Sequence, residues 1–312
     1  MTTPAKLIGQ HEPGTDGWNE ARKYRLGGSE IAAVMGLSPW ASHFSLWMEK
    51  HGDTPPQPDR PLLEWGRRIE PAIRGKFVEN HPGDWQANPG MFHHRDRSWQ
   101  IANPDALTDG ELAEFKTALY ADEWGPAGTD DIPIYYRCQV LWYMDALEVE
   151  RAWVAVLIGG TDYREYLIER DADAIQDMRI LREAGEAFIQ SLMNNRPPDI
   201  DRHSATYEVQ RTLHPNIEPG QVAVDVTLAG DYLAAVIAED EAKLDKQFYA
   251  AQILAELGSL REAVDDVDGA RFAYRTHRSR DGKPGTPYLA PDRTRVKQLT
   301  HPTRATITEK AS

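Results

Sequence analysis

A chain of 312 residues, 41% hydrophobic, can bury a sizeable core together with a second small domain or an elaborated single one. No apolar run approaches the roughly 20 residues that cross a bilayer. The opening MTTPAKLIGQ lacks the apolar stretch of a secretory signal, so a cytoplasmic protein with no membrane partner is expected. The single cysteine, Cys138, excludes internal disulfides, zinc ribbons and iron–sulfur clusters, which need several thiolates. Any metal must therefore be held by oxygen. A net charge of −14 opposes non-specific DNA binding, which draws on Lys and Arg. That acidity is concentrated in runs such as Glu239-Asp240-Glu241 and Asp265-Asp266, whereas Arg271 to Lys283 is basic, so an uneven field is expected.

In chain order, Trp18 to Tyr24 is predicted as a short helix, and Gly27-Gly28-Ser29 opens a second that stops before Ser38-Pro39. A third covers about 42–51, and the Pro-rich stretch Thr54 to Pro61 reads as a loop. Leu62 to Glu79 has helical periodicity, interrupted or kinked near Pro71, with Gly66, Ile69, Glu70, Ile73 and Phe77 on the inner face. The pattern then turns strand-like in Met91 to His94, Trp99 to Ala102 and Gly110 to Thr117, with a turn at Asn103-Pro104-Asp105. A helix at about 134–147 leads into Ala152 to Ile158, whose nearly continuous apolar run predicts a strand buried on both faces. Gly159 to Asp162 turns into a strand over Tyr163 to Glu169, and an amphipathic helix covers 172–193. Asn194-Asn195-Arg196-Pro197-Pro198 is the expected boundary between a core at 1–198 and an accessory region at 199–312. That region is expected to be mainly helical, with helices near 230–240 and 241–265. A strand pair should follow at Ala270 to His277 and Pro287 to Ala290, with Asp281-Gly282 in the connecting turn. The expected class is α/β.

The chemistry centres on Asn103-Pro104-Asp105 and Glu114-Phe115-Lys116. On a strand, alternate residues share a face, so Glu114 and Lys116 point together while Ala113, Phe115 and Thr117 point the other way. Two carboxylates and an ammonium then converge, as metal-assisted phosphodiester cleavage requires. The plain alternative is an Asx turn followed by a surface Glu–Lys pair. Glu70 falls on an inward helical stripe, where an ionised carboxylate is costly unless paired or bound to a cation. Its structural alternative is pairing with Arg67 or Arg74. Gln139 and Tyr143, four apart, project on one helix face with Tyr136. Ser29 is placed to cap a helix whose free amides, with Arg22 near, would form an anion site. His93-His94 alternates across a strand and makes a poor metal pair, and no phosphate-binding G-x-x-x-x-G-K-[ST] motif is present.

Taken together, Trp18…Arg22…Gly27-Gly28-Ser29-Glu30-Ile31, Ser38-Pro39-Trp40, Trp65-Gly66-x-x-x-Glu70-Pro71, Asn103-Pro104-Asp105, Glu114-Phe115-Lys116 and Gln139…Tyr143 resemble the lambda-exonuclease/YqaJ family over about residues 17–195. The resemblance implies a PD-(D/E)xK restriction-endonuclease-like core, a central mixed sheet flanked by helices. It implies that Asp105, Glu114 and the carbonyl of Phe115 bind magnesium, that Lys116 is the catalytic lysine, and that Glu70 and Gln139 belong to the active site, with Glu70 as a further metal ligand. Asn103 and Tyr143 would support them. Two ions are expected, with manganese as a substitute. Arg22 and Ser29 would hold the 5′-phosphate of a DNA end, with Arg25 competing for the arginine's role. The implied activity is 5′→3′ digestion of double-stranded DNA, leaving 3′ single strands for recombination by strand annealing. Implied partners are DNA ends, a single-strand annealing protein and further copies of the chain in a ring. An endonuclease or single-strand nuclease on the same core, and a catalytically silent DNA-binding protein, are the rival readings.

Overall fold

The computed structural model describes residues 5–11, 14–54, 61–280, 283–300 and Ile307. One compact unit runs to Asn216 and includes Ile307, and a second begins at Ile217. The first opens with β1 (Lys6–Gly9), α1 (Asp16–Arg22), β2 (Leu26–Gly27), α2 (Gly28–Val34), α3 (His43–His51) and α4 (Pro61–Asn80). Five short or medium strands follow: β3 (Gln86–Ala87), β4 (Met91–His93), β5 (Gln100–Ala102), β6 (Ala106–Leu107) and β7 (Glu111–Ala118). It then runs through α5 (Ile134–Leu147), β8 (Arg151–Ile158), β9 (Asp162–Glu169), α6 (Ala172–Met193) and α7 (Ser204–Leu213). The fold is mixed α/β. Most of the loop expected over Thr54 to Pro61 lies outside the described residues, and α4 already begins at Pro61.

The main sheet has the order β3-β6-β7-β8-β9. β7 and β8 pair in parallel from Glu111↔Arg151 to Ala118↔Ile158, and the other neighbours are antiparallel. Parallel neighbours need a crossover, and α5 is that crossover. Alternation along β7 sorts its side chains between two layers. Ala113 and Phe115 join Ile73 and Phe77 of α4, with Ala106 and Ala155. Leu112 joins the larger core built around α5, with Leu26, Trp47, Val154, Leu181 and Phe188. Glu114 and Lys116, out of phase with Phe115, consequently belong to the α5 side.

From Cys138 to Leu147 every residue of α5 is buried, the mark of a helix enclosed on all sides. Its Trp142 indole N–H donates to the carbonyls of both Leu26 and Ile101, at 3.2 and 3.1 Å. That bond pair ties α5 to the second sheet, ordered β1-β4-β5-β2. On the far side, Gly185 of α6 leaves room for the Trp142 ring: a Cβ there would lie 2.5 Å from Cη2.

The core unit extends past the expected boundary at 198. α7 docks on the start of α3 through a 2.6 Å hydrogen bond between the hydroxyls of Ser42 and Thr206, both buried. The second unit contains α8 (Val226–Leu257), β10 (Glu262–Val264), β11 (Arg271–Thr276), β12 (Ser279–Arg280), β13 (Lys283–Pro284), β14 (Tyr288–Pro291) and α9 (Arg293–Thr300). Where two helices were expected, a single helix of 32 residues stands. Glu239-Asp240-Glu241 carries neither Gly nor Pro, so nothing breaks the backbone ladder there. The expected strand pair is present as β11 and β14, with β10 added on the other edge of β11. Asp281-Gly282 lies outside the described residues. No helix among the described residues is long and apolar enough to cross a membrane.

Gly185→Ala should lower unfolding stability by about 1–3 kcal/mol, because the methyl group overpacks the Trp142 ring. Urea unfolding checks this, and an unchanged midpoint would mean that α6 shifts without cost.

Candidate active site

The Asn103-Pro104-Asp105 turn places Asp105 between β5 and β6, beside the middle of β7. Its Oδ2 accepts from the Phe115 N–H at 2.7 Å, which fixes the turn against the strand. Glu114 is 1% exposed. Its Oε2 accepts from Lys116 Nζ at 2.7 Å and from Gln139 Nε2 at 3.2 Å, while its Oε1 is buried with no hydrogen-bond partner. Gln139 also donates to the Tyr143 hydroxyl at 3.4 Å. Asp105, Glu114, Lys116, Gln139 and Tyr143 are thus brought together. The Phe115 ring points into the α4 layer while its backbone serves Asp105. Asn103 is half-buried at the turn.

Glu70 comes from α4, with Arg74 one turn away at 3.6 Å. Burial and the Asp105 charge push its carboxyl up to about 7, with Arg74 and Lys116 opposing. Burial and Asp105 likewise raise Glu114 to about 8, against the pull of Lys116. Burial raises Asp105 as well. For Lys116 burial alone would favour the neutral amine, but Glu114 and Asp105 outweigh it and raise its pKa. The lysine therefore keeps its proton, and the acids are strained toward theirs. A cation relieves that strain. The unpartnered Glu114 Oε1, next to Asp105, is the kind of hard oxygen donor that a divalent ion takes. Among the described residues no three His, Cys, Asp or Glu side chains converge on one point, so Glu70 faces the Asp105–Glu114 pair electrostatically without closing a three-carboxylate cage.

Arg22 and Ser29 also meet, with Arg22 Nη2 at 3.5 Å from Ser29 Oγ. Arg25 is committed elsewhere, to the backbone carbonyls of Ala21 and Ser98. The expected cap is corrected. Gly27 is the N-cap of α2, and its N–H is taken by Glu30 Oε2 at 2.8 Å, so Ser29 lies inside the first turn. Glu30 Oε1 lies 2.8 Å from Arg22 and 2.7 Å from Lys50, whose ammonium also donates to the carbonyls of Arg22 and Arg25. Sequence reasoning missed Glu30 and Lys50 as functional partners, because no local pattern shows that α3 delivers Lys50 beneath Arg22. Gly28 makes the junction with α5 feasible: a Cβ there would lie 2.5 Å from the Tyr143 ring and 2.8 Å from the Gln139 carbonyl.

The basic strand pair is partly neutralised. Arg271 is paired with Glu262 and Asp292, and Arg275 donates to the Gly258 carbonyl. A cavity of about 380 Å³ in this unit, lined by Ala270, Arg271, Asp292, Thr294 and Arg295, holds a second paired arginine, Arg295 with Asp268. It offers no chemistry comparable to that of the carboxylates on β7.

Glu30 supports a pH prediction. Burial would raise its carboxyl, but Arg22, Lys50 and the Gly27 N–H hold it at about 2, below its ordinary 4.5. A depressed acid stabilises the fold above its unfolded pKa and loses that contribution as pH falls through its folded one. Stability should therefore drop between about pH 4.5 and 2, and Glu30→Gln should flatten that drop. The variant should also cost about 3–5 kcal/mol at neutral pH, because it strands two cations. Chemical unfolding across this pH range reads both effects, and parallel curves for the two proteins would exclude the assignment.

Residues 17–149 match the family described as YqaJ-like viral recombinase domain. The Uncharacterized protein YqaJ of Bacillus subtilis (strain 168) is 29% identical over 230 residues, which cover 72% of this chain and 70% of that protein. Similar solved structures include an alkaline exonuclease (LHK-Exo) from Laribacter hongkongensis, 20% identical, covering 58% of this chain and 94% of that one at a TM-score of 0.48. A putative exonuclease from Eubacterium rectale is 13% identical, with coverage of 69% and 97% and a TM-score of 0.46. The segment 17–149, which carries Arg22, Ser29, Glu70, Asp105, Glu114, Lys116, Gln139 and Tyr143, is thus similar to the YqaJ-like viral recombinase domain.

Proposed function

We propose that this chain is a nuclease dependent on a divalent metal, acting as a 5′→3′ exonuclease on double-stranded DNA and leaving 3′ single strands for strand annealing. The observation that carries this reading is the buried Glu114 beside the half-buried Asp105 and Lys116, with one Glu114 oxygen left unpartnered. Asp105, Glu114 and the Phe115 carbonyl would hold magnesium, or manganese in its place, with Glu70 serving a second ion. Such an ion supplies Lewis-acid polarisation of the phosphate and a more acidic water. Lys116, kept protonated by its two acidic neighbours, supplies a fixed positive charge at the phosphate as negative charge develops there. Gln139 holds the Glu114 carboxylate from the α5 side at 3.2 Å, and Tyr143 steadies Gln139. Glu70, held near 7 without metal, would give up its proton near neutral pH on taking that ion.

Polarity rests on Arg22. A terminal 5′-phosphate carries more charge than an internal diester, and a guanidinium favours it. The carboxylate set by itself encodes no polarity, so an endonuclease on the same core is the rival reading. An intact set of charged groups argues against a silent DNA-binding protein. An annealing protein and a ring of copies are the proposed partners, with the unit that runs to Asn216 as the catalytic part and the second unit an accessory that guides the duplex.

Digestion of end-labelled duplexes tests the reading. Wild type should degrade 5′-phosphorylated ends in magnesium and stop in chelator. Lys116→Ala should lose at least about a hundredfold in rate while keeping DNA affinity. Arg22→Ala should slow 5′-phosphorylated ends more than 5′-hydroxyl ends. Equal slowing of both ends would favour the endonuclease, and full activity of Lys116→Ala would overturn the mechanism.

Metal binding carries its own pH signature. With Glu70 and Glu114 raised to about 7 and 8 from an ordinary 4.5, the metal-free native state holds protons that the unfolded chain has lost. Stability without metal should fall as pH rises across that window. A divalent ion replaces those protons, so its stabilising effect on Tm should grow from about pH 5 to 8 and then level off. Glu114→Gln should remove most of this growth in thermal melts, and an ion effect independent of pH would count against these ligands.

A further inference from the structure

Ser38-Pro39-Trp40 joins α2 to α3, and the proposed chemistry leaves it unused. Trp40 is 51% exposed, yet its surroundings are ordered. The Ser38 hydroxyl accepts from the N–H groups of Trp40 and Ala41, both at 3.2 Å. The Ser38 carbonyl lies 3.1 Å from His203 Nε2, which carries the ring proton because Nδ1 accepts from the Ala205 N–H. The indole meets the Tyr135 ring edge-on, with centroids 4.7 Å apart. Tyr135 is held in turn by its hydroxyl, which donates to Glu123 at 2.7 Å, and by Tyr136 at 4.6 Å. Inward, Tyr136 packs on Trp124, and Trp124 on the fully buried Tyr166.

This aromatic ladder begins at the catalytic centre. The Lys116 ammonium stands 5.0 Å over the Tyr136 ring, and Tyr136 is 6.2 Å from Trp40. One ring therefore separates the lysine from a fixed and half-open indole. Its free face is a large flat apolar surface that costs little to order, because its neighbours already hold it. Nucleobases are the flat ligands expected beside a phosphodiester site. Every base has a π face, so stacking on an aromatic side chain tolerates any sequence.

We propose that the exposed face of Trp40, braced by Tyr135, stacks an unpaired nucleobase of the nucleotide next to the phosphate held at Lys116. This inference rests on the nuclease reading of the same site. Trp40 is a positioning residue here: it holds the strand end out of the duplex so that the phosphodiester meets Lys116 and Glu114. It breaks no bond itself. A base that is paired keeps its neighbours in the helix and gains nothing from the indole, so the site selects frayed or melted ends.

The test compares three duplexes with a 5′-phosphate, in which the terminal nucleotides of the digested strand are paired, mismatched, or mismatched and abasic. Affinity is read by fluorescence anisotropy in calcium, and kcat and KM in magnesium. Wild type should bind the mismatched end about tenfold more tightly than the abasic one. Trp40→Ala should erase that difference, Trp40→Phe should retain most of it, and Tyr207→Ala, which removes an exposed ring of α7, should leave it unchanged. Thermal melting verifies that the variants are folded.

A wild type that distinguishes base from abasic no better than Trp40→Ala overturns the proposal while leaving the nuclease reading intact. Equal loss of affinity by Trp40→Ala for base and abasic ends does the same, since it marks a merely structural role. Wild type that binds with the expected base preference but cleaves nothing separates the two, supporting the stacking site and removing the catalytic reading. A chain that neither binds nor cleaves DNA overturns both.

Discussion

Ionising a carboxyl group almost wholly removed from water costs several kcal/mol unless nearby groups offset the charge, and Glu114, at 1% exposed, is such a group. Lys116, two residues along the same strand, and Gln139, from the crossover helix, supply two of the offsets. Asp105 makes matters worse, because burial raises both acids and the Asp105 charge adds to the rise of Glu114. The unpartnered oxygen of Glu114 is the residue of that imbalance. Much of the core follows from the need to hold these charges in place. β7 must sit inside the sheet, α5 must lie close enough for Gln139 to reach, and the Asp105 turn must be anchored to the Phe115 amide.

A second buried charge cluster organises the first three helices. Glu30 joins Arg22 of α1 to Lys50 of α3, so three consecutive helices are fastened by one carboxylate. Surface ion pairs contribute little, but here the side chains are only 5–13% exposed, and removing one member strands the others. The same cluster fixes the Arg22 guanidinium in front of Ser29 at the α2–α5 junction. Gly28 closes that junction by letting the Tyr143 ring and the Gln139 carbonyl approach the α2 backbone. The Arg22–Ser29 pair and the carboxylate set therefore share one support, α5, and a shift of that helix would move both.

The two units differ in how they are held together. The first has a continuous core around α5, whereas the second, among its described residues, buries the small cluster Leu257, Ala263 and Ala273, with Ile253, Phe272 and Leu289 packed against them. Arg271 and Arg295 pair with acids of the same unit. Local pairing of this kind offsets part of the basic stretch.

By itself the sequence determined the elements of the core and the face on which the chemistry lies. Period-two alternation set Glu114 and Lys116 together and Phe115 opposite, the unbroken apolar run foretold the buried β8, and the 3.6-residue periodicity placed Ile73 and Phe77 under the sheet. These signals are legible because they depend only on residues within a few positions of each other. Tertiary structure alone decided that Gln139 reaches Glu114, that Glu30 and Lys50 brace Arg22, and that Tyr136 and Trp40 line up beside Lys116. It also decided that Gly27 rather than Ser29 caps α2, and that α7 belongs to the core. Each of these rests on groups brought together across tens of residues by packing. No local periodicity records which helix face will meet which strand, and so no short-range pattern could reveal them.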